Sequence, residues 1–183
     1  WRPWLEEQSD QVFEESEYCR RYRSILENRQ LQKILSAGHV KIIFHIHPKL
    51  KEFLKAFQTE NSNVELIEQG TRPLNELIME CSMLLTDYSS VSWDVYYLGK
   101  PVVFYQFDYD LYMQANGSYL DMKKELFGDR YITEEEVIRG LEEYVQNDFR
   151  EKEKYGSLRQ EYFAYNDQNN CKRILEFLRS KGY

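Results

Sequence analysis

Residues 84–95 read Leu-Leu-Thr-Asp-Tyr-Ser-Ser-Val-Ser-Trp-Asp-Val. An apolar run empties into Thr86 and Asp87, two serines follow, and an amphipathic stretch begins at once. Hydroxyls at a helix start do one of two things. Ser89 and Ser90 hold an anion such as a phosphate, where unpaired amides and the positive end of the helix dipole favour negative charge, or one of them simply caps the helix. Asp87 has three readings: it binds a ribose hydroxyl, positions a histidine, or bonds local backbone in the turn. His47, before Pro48, closes another apolar run. A neutral imidazole there accepts a proton from an attacking hydroxyl or donates to a phosphate oxygen; otherwise it caps or packs beneath the next helix. The stretch Gln106-Phe107-Asp108-Tyr109-Asp110-Leu111-Tyr112 either closes over a ligand or anchors its own loop with aromatic rings.

These groups need strands to carry them. Residues 40–47, 64–67, 83–86 and 102–105 are short, apolar and rich in β-branched residues, which predicts buried strands. Helical patterns separate them: two short helices over 9–37, split near Asn28 and ended by Gly38, then 48–57 opened by Pro48, 74–81, and 90–98 ended by Gly99. Residues 106–130 read as a long loop. Thr133 with Glu136 three residues on is a capping box, and helices are expected over 134–146, 149–162 and 168–180. Strands alternating with helices predict an α/β chain, a Rossmann-like three-layer domain with a mostly parallel sheet. In such sheets ligands bind beyond the carboxyl ends of the strands. His45 and His47, Thr86 to Ser90, and Gln106 with Asp108 all fall at that edge.

Composition narrows the classes. The 183 residues amount to one domain, 42% hydrophobic and 30% charged, a globular rather than a disordered balance. No apolar run is long enough to span a bilayer, and no signal-type segment opens the chain. The net charge of −7 argues against nucleic acid or an anionic membrane as partner of this piece, while leaving room for a local phosphate pocket. Cys19, Cys81 and Cys171 are odd in number and far apart, so they read as core residues or free thiols of a reducing compartment. His39, His45 and His47 share one segment without metal-ligand spacing, so neither a metal nor a cofactor is expected. The abrupt start at Trp1-Arg2-Pro3-Trp4 reads as the middle of a longer protein.

The block Leu84 to Asp108, with its strand, Thr-Asp-Tyr-Ser-Ser turn, helix, Lys100-Pro101 and strand, resembles the CDP-glycerol glycerophosphotransferase family, the teichoic acid primases and polymerases. Ile42 to Leu50 resembles the family's strand ending in His-Pro, Trp1-Arg2 its Thr-Trp-Arg segment, and residues 162–178 its segment before the last helix. The ordered matches cover nearly the whole chain. The resemblance implies the C-terminal, nucleotide-binding half of a GT-B fold, with the family's first strand and its N-terminal acceptor domain lying outside these residues. It implies transfer of glycerol phosphate, or a related alditol phosphate, from a CDP-alditol donor to a hydroxyl of a polyol-phosphate or glycan acceptor in teichoic acid or capsule synthesis. The implied location is cytoplasmic, peripheral on the inner face of the membrane. His47 is implied as base or phosphate contact; Thr86, Asp87, Ser89 and Ser90 as substrate-binding residues at the diphosphate; Asn166, Asp167 and Asn170 as approaching the same rim. Departures from the pattern are Asn116 for an arginine, Asn166 for a histidine, Gln168 for a glycine, and Leu126-Phe127-Gly128-Asp129 without the family's prolines. Two other readings stand beside this one: a GT-B glycosyltransferase half using a nucleotide sugar, and a non-catalytic nucleotide-binding or interaction module. The fragment alone is expected to bind a cytidine nucleotide without turning over substrate.

Overall fold

A computed structural model describes residues 1–183. Its first 37 residues are largely helical and are punctuated by three caps. Ser9, Ser16 and Asn28 accept from the amides of Val12, Cys19 and Leu31, so the segment breaks into α1 (Asp10–Glu14), α2 (Glu17–Glu27) and α3 (Arg29–Ala37). The break at Asn28 and the stop at Gly38 match the sequence reading; the third helix arises because Ser16 caps as well. β1 (Ile42–His45) follows, and Pro48 opens a helical stretch to Phe57 that is 3₁₀ rather than α. Then come β2 (Val64–Ile67), α4 (Leu74–Glu80), β3 (Leu84–Thr86), α5 (Val91–Tyr97) and β4 (Val102–Tyr105). Gly99, at φ 76°, turns the chain after α5.

The expected loop over 106–130 holds α6 (Tyr109–Ala115) and leads into β5 (Asp129–Tyr131). Neither has an apolar period: α6 buries no residue, and β5 is three residues long with a carboxylate and a guanidinium among them. The chain ends with α7 (Glu134–Gln146), whose Thr133–Glu136 capping box forms as expected, α8 (Glu153–Tyr162) and α9 (Asn170–Ser180). No helix is long and apolar enough to cross a membrane.

Every strand pairing is parallel. β1 pairs with β2, and β4 lies between β3 and β5, giving two short sheets. Residues of β4 alternate between layers, as a pleated strand requires. Val102 and Phe104 pack with Val95, Tyr96 and Tyr155 of α5 and α8, while Tyr105 packs with Ile25, Leu31, Val137 and Ile138 of α2, α3 and α7. The result is a three-layer Rossmann-like α/β domain. No ladder joins β1 to β3; side chains do it instead, Ile42 and Leu85 packing on the same cluster. The carboxyl ends of these strands are bridged by the chain's first two residues.

Candidate active site

Arg2 is the organiser of the rim. Its side chain has no exposed surface. Nη1 donates to Asp87 Oδ2 at 2.7 Å, while Nε and Nη2 donate to the two oxygens of Asp108. A planar five-donor fork suits two carboxylates in this way. Tyr18, Tyr88, Phe107 and Tyr112 surround the guanidinium at 5.0–5.7 Å, with Tyr88 and Tyr112 stacked at 3.7 Å. Burial opposes the charge on Arg2, but Asp87 and Asp108 outweigh it and raise its pKa. Burial likewise pushes the Asp87 carboxyl up, yet the Trp1 amino group, Arg2 and the Tyr88 amide, in that order, hold it below the ordinary carboxylate range. The end of β3 is thereby tied to the end of β4.

Trp1 ties the same point to β1. Its backbone nitrogen lies 3.7 Å from Asp87 Oδ2, and its indole stacks on the His47 ring at 5.3 Å. His47 Nδ1 accepts from the Lys49 amide at 3.2 Å, capping the 3₁₀ stretch. In the neutral ring that bond places the proton on Nε2, which has no protein partner. Partial burial lowers the His47 pKa, so the neutral form prevails at pH 7. His45, at the end of β1, is lowered by burial as well.

The two readings of the serine turn divide between its members. Ser89 does the capping: its Oγ accepts from Val91 N at 3.3 Å and its carbonyl accepts from Ser92 Oγ at 2.7 Å. The hydroxyls of Thr86 and Ser90 and the amides of Ser89 and Ser90 make no hydrogen bond within the protein. These are the hydrogen-bonding groups that the turn leaves free. Asp87 is engaged by Arg2 and by the Tyr88 amide at 2.6 Å, so its carboxylate shapes the turn. The 106–112 stretch anchors, through Phe107, Asp108 and Tyr112 around Arg2.

Through Trp1, which contacts both His47 and Asp87, the structure joins His47 to the Thr86–Ser90 turn. Asp167 and Asn170 make their hydrogen bonds to other partners, and Asn166 makes none. Tyr97, at the far end of α5 from Ser90, donates to the Asp167 carbonyl at 2.7 Å and receives Asn170 Nδ2 at 3.4 Å. Arg173 holds the Asp167 carboxylate and Asn170 Oδ1, drawing the segment onto the start of α9. None of these bonds reaches His47, Ser89 or Ser90. Sequence reasoning missed Arg2, Tyr88 and Tyr112 as builders of the rim. The signal was an arginine between two tryptophans together with one aspartate after each of two strands. No group of three or more His, Cys, Asp or Glu side chains is arranged to hold a metal ion.

Comparison with known proteins places this geometry in a family. Residues 8–180 match the family described as CDP-Glycerol:Poly(glycerophosphate) glycerophosphotransferase. The minor teichoic acid biosynthesis protein GgaB of Bacillus subtilis (strain 168) is 30% identical over 162 residues, covering 88% of this chain and 18% of GgaB. The teichoic acid poly(glycerol phosphate) polymerase of the same organism is 35% identical over 78 residues, covering 42% of this chain and 10% of the polymerase. Among solved structures, the wall teichoic acid polymerase TagF superposes with a TM-score of 0.63 at 23% identity, over 86% of this chain and 38% of TagF. That likeness shows a shared fold, and the chain spans about a fifth or less of these two curated relatives. The chain belongs to the CDP-glycerol:poly(glycerophosphate) glycerophosphotransferase family.

Proposed function

We propose that these residues form the donor-binding half of a transferase that moves glycerol phosphate, or a related alditol phosphate, from a CDP-activated donor to a hydroxyl of a cell-surface polymer. The observation that carries this reading is the set of unpaired donors on one rim, His47 Nε2 and the amides and hydroxyl at Ser89 and Ser90, in a chain of this family. In the reaction the acceptor oxygen forms a bond to the phosphorus bearing the alditol. The bridging P–O bond breaks, and its electron pair leaves with CMP. Catalysis of this kind is positioning and charge stabilisation. Ser89, Ser90 and Thr86 hold the diphosphate, and Asp87 holds the turn through Arg2. The acceptor and the group that takes its proton belong to sequence outside these residues, the relatives being several times longer.

The structure favours one of the two roles open to His47. A ring whose Nδ1 accepts from Lys49 presents a proton at Nε2, so His47 donates to a phosphate oxygen rather than accepting the acceptor's proton. Calorimetric titration of the chain with CDP-glycerol, a UDP-sugar and a GDP-sugar tests the reading. CDP-glycerol binds best, and Ser90→Ala or His47→Ala weakens it about tenfold or more, the loss of a charge-assisted hydrogen bond of about 1.5–3 kcal/mol. His47→Gln, which keeps a donor but is no base, retains most of the affinity. Equal binding of all three nucleotides, or indifference to both alanine variants, contradicts the reading.

A further inference from the structure

A second group of cations on the strand-end edge takes no part in the rim just described. Arg130 lies in β5, half-buried, and its Nε donates to Gln106 Oε1 at 2.7 Å. Gln106 follows β4 and has no exposed surface; its Nε2 is held by the Asp87 carbonyl and Met122 Sδ. The Arg130 side chain is therefore fixed from behind. It makes no ion pair, and its two terminal nitrogens have no acceptor in the protein. Lys123 approaches the same place: its Nζ stands 4.3 Å from the Tyr109 ring centroid, and the Arg130 guanidinium stands 5.1 Å from it. These side chains line a cavity of about 360 Å³ with Gln106, Phe107 and Asp108.

The carboxylates nearby do not neutralise them. Both oxygens of Asp108 are taken by Arg2. Asp110 lies 3.8 Å from Lys123 with its side chain 96% exposed, where an ion pair is worth little. A half-buried guanidinium pre-set by a buried glutamine, without a counter-ion, is costly to keep unless an anion completes it. The cavity lies at the small end of the range for ligand sites, roughly 300–1,000 Å³, which suits one small polyol phosphate better than a nucleotide.

We propose that Arg130 and Lys123, set around Tyr109, form an anion subsite that takes the phosphate of a single alditol-phosphate unit, beside the nucleotide rim and separate from it. The proposal deepens the transferase reading and rests on it for the alditol. The phosphate has two sources. A free alditol phosphate presents a monoester, and the polymer acceptor presents a phosphodiester.

The test is titration of the 183-residue chain with glycerol 3-phosphate, bis-glycerol phosphodiester and CMP, followed by the arginine side-chain NMR signals. The better binder of the first two identifies the source. Arg130→Gln weakens that binder about tenfold or more, shifts in the Arg130 Nε signal accompany binding, and CMP affinity is unchanged. Lys123 is exposed, so Lys123→Gln folds normally and weakens the same probe even if Arg130→Gln is poorly folded. Glycerol phosphates that bind with Arg130 dependence while CMP does not bind leave the subsite standing and overturn the nucleotide reading. Failure of both glycerol phosphates to bind, or binding unaffected by either variant, overturns the subsite whatever CMP does.

Discussion

Replacing Arg2 by methionine removes the guanidinium that faces both Asp87 and Asp108. Arg2 is fully buried, and the side chains of its two partners are 8% and 6% exposed. Breaking a buried pair by deleting one partner costs about 3–5 kcal/mol, because the remaining charge is stranded. Methionine fills much of the vacated space, so most of that cost is electrostatic. Its pH dependence has a defined sign. The Asp87 pKa is depressed in the native protein, so its contribution is fully present above the unfolded carboxylate value of about 3.9 and is lost only as pH falls through the lower folded value. In Arg2→Met the guanidinium no longer opposes burial, and Asp87 titrates upward. Acidification then relieves the variant before it harms the wild type. Urea unfolding followed by tryptophan fluorescence reads both proteins near neutral pH and near pH 5. The stability gap is about 3–5 kcal/mol at neutral pH and narrows on acidification. A gap below about 1 kcal/mol, the scale of a surface pair, or one that does not change with pH, is incompatible with Arg2 as the buried tie of the rim.

Three further outcomes follow from particular contacts. Asp129 accepts from Tyr144 Oη at 2.9 Å, Tyr155 Oη at 2.8 Å and Lys152 Nζ at 2.7 Å, so Asp129→Asn lowers unfolding free energy by about 2–3 kcal/mol, measured by urea titration. A Cβ on Gly128 would lie 2.1 Å from the Val102 carbonyl oxygen. Gly128→Ala must therefore part β4 from β5 at a cost of about 1–3 kcal/mol or more, seen as a lower thermal midpoint. α9 buries none of its residues, and Ile174, Leu175, Phe177 and Leu178 stand exposed on it. Removing residues 170–183 therefore changes unfolding free energy by less than about 1 kcal/mol, and a larger loss in the same titration contradicts that packing.

The elements that sequence made legible are those with local punctuation. Asn28, Gly38, Pro48, Gly99 and the Thr133–Glu136 box mark ends by their own chemistry, and the apolar runs of β1 to β4 mark burial. β5 was invisible because its Asp129 is buried polar, satisfied by two tyrosines from α7 and α8 that no local pattern announces. α6 was invisible because it buries nothing. For the site, the strand ends were legible as an edge, whereas Trp1, which contacts both His47 and Asp87 across it, was not. The division of labour within the turn was not, since a capping Ser89 and a free Ser90 look alike in sequence. Of the three readings of Asp87, the bond to the Tyr88 amide fits the turn, while its tie to Arg2, 85 residues away, was not legible. Asn166, Asp167 and Asn170 were expected at the rim through family resemblance alone, and the bonds of Asp167 and Asn170 run to Arg173 and Tyr97 instead.

A crystal of this chain soaked with CDP-glycerol decides the account. The diphosphate oxygens should lie within hydrogen-bond distance of His47 Nε2 and of the Ser89 and Ser90 amides, with the Lys49 amide still bonded to His47 Nδ1. A diphosphate bound away from these groups, or a His47 ring turned so that Nδ1 leaves Lys49, would contradict it.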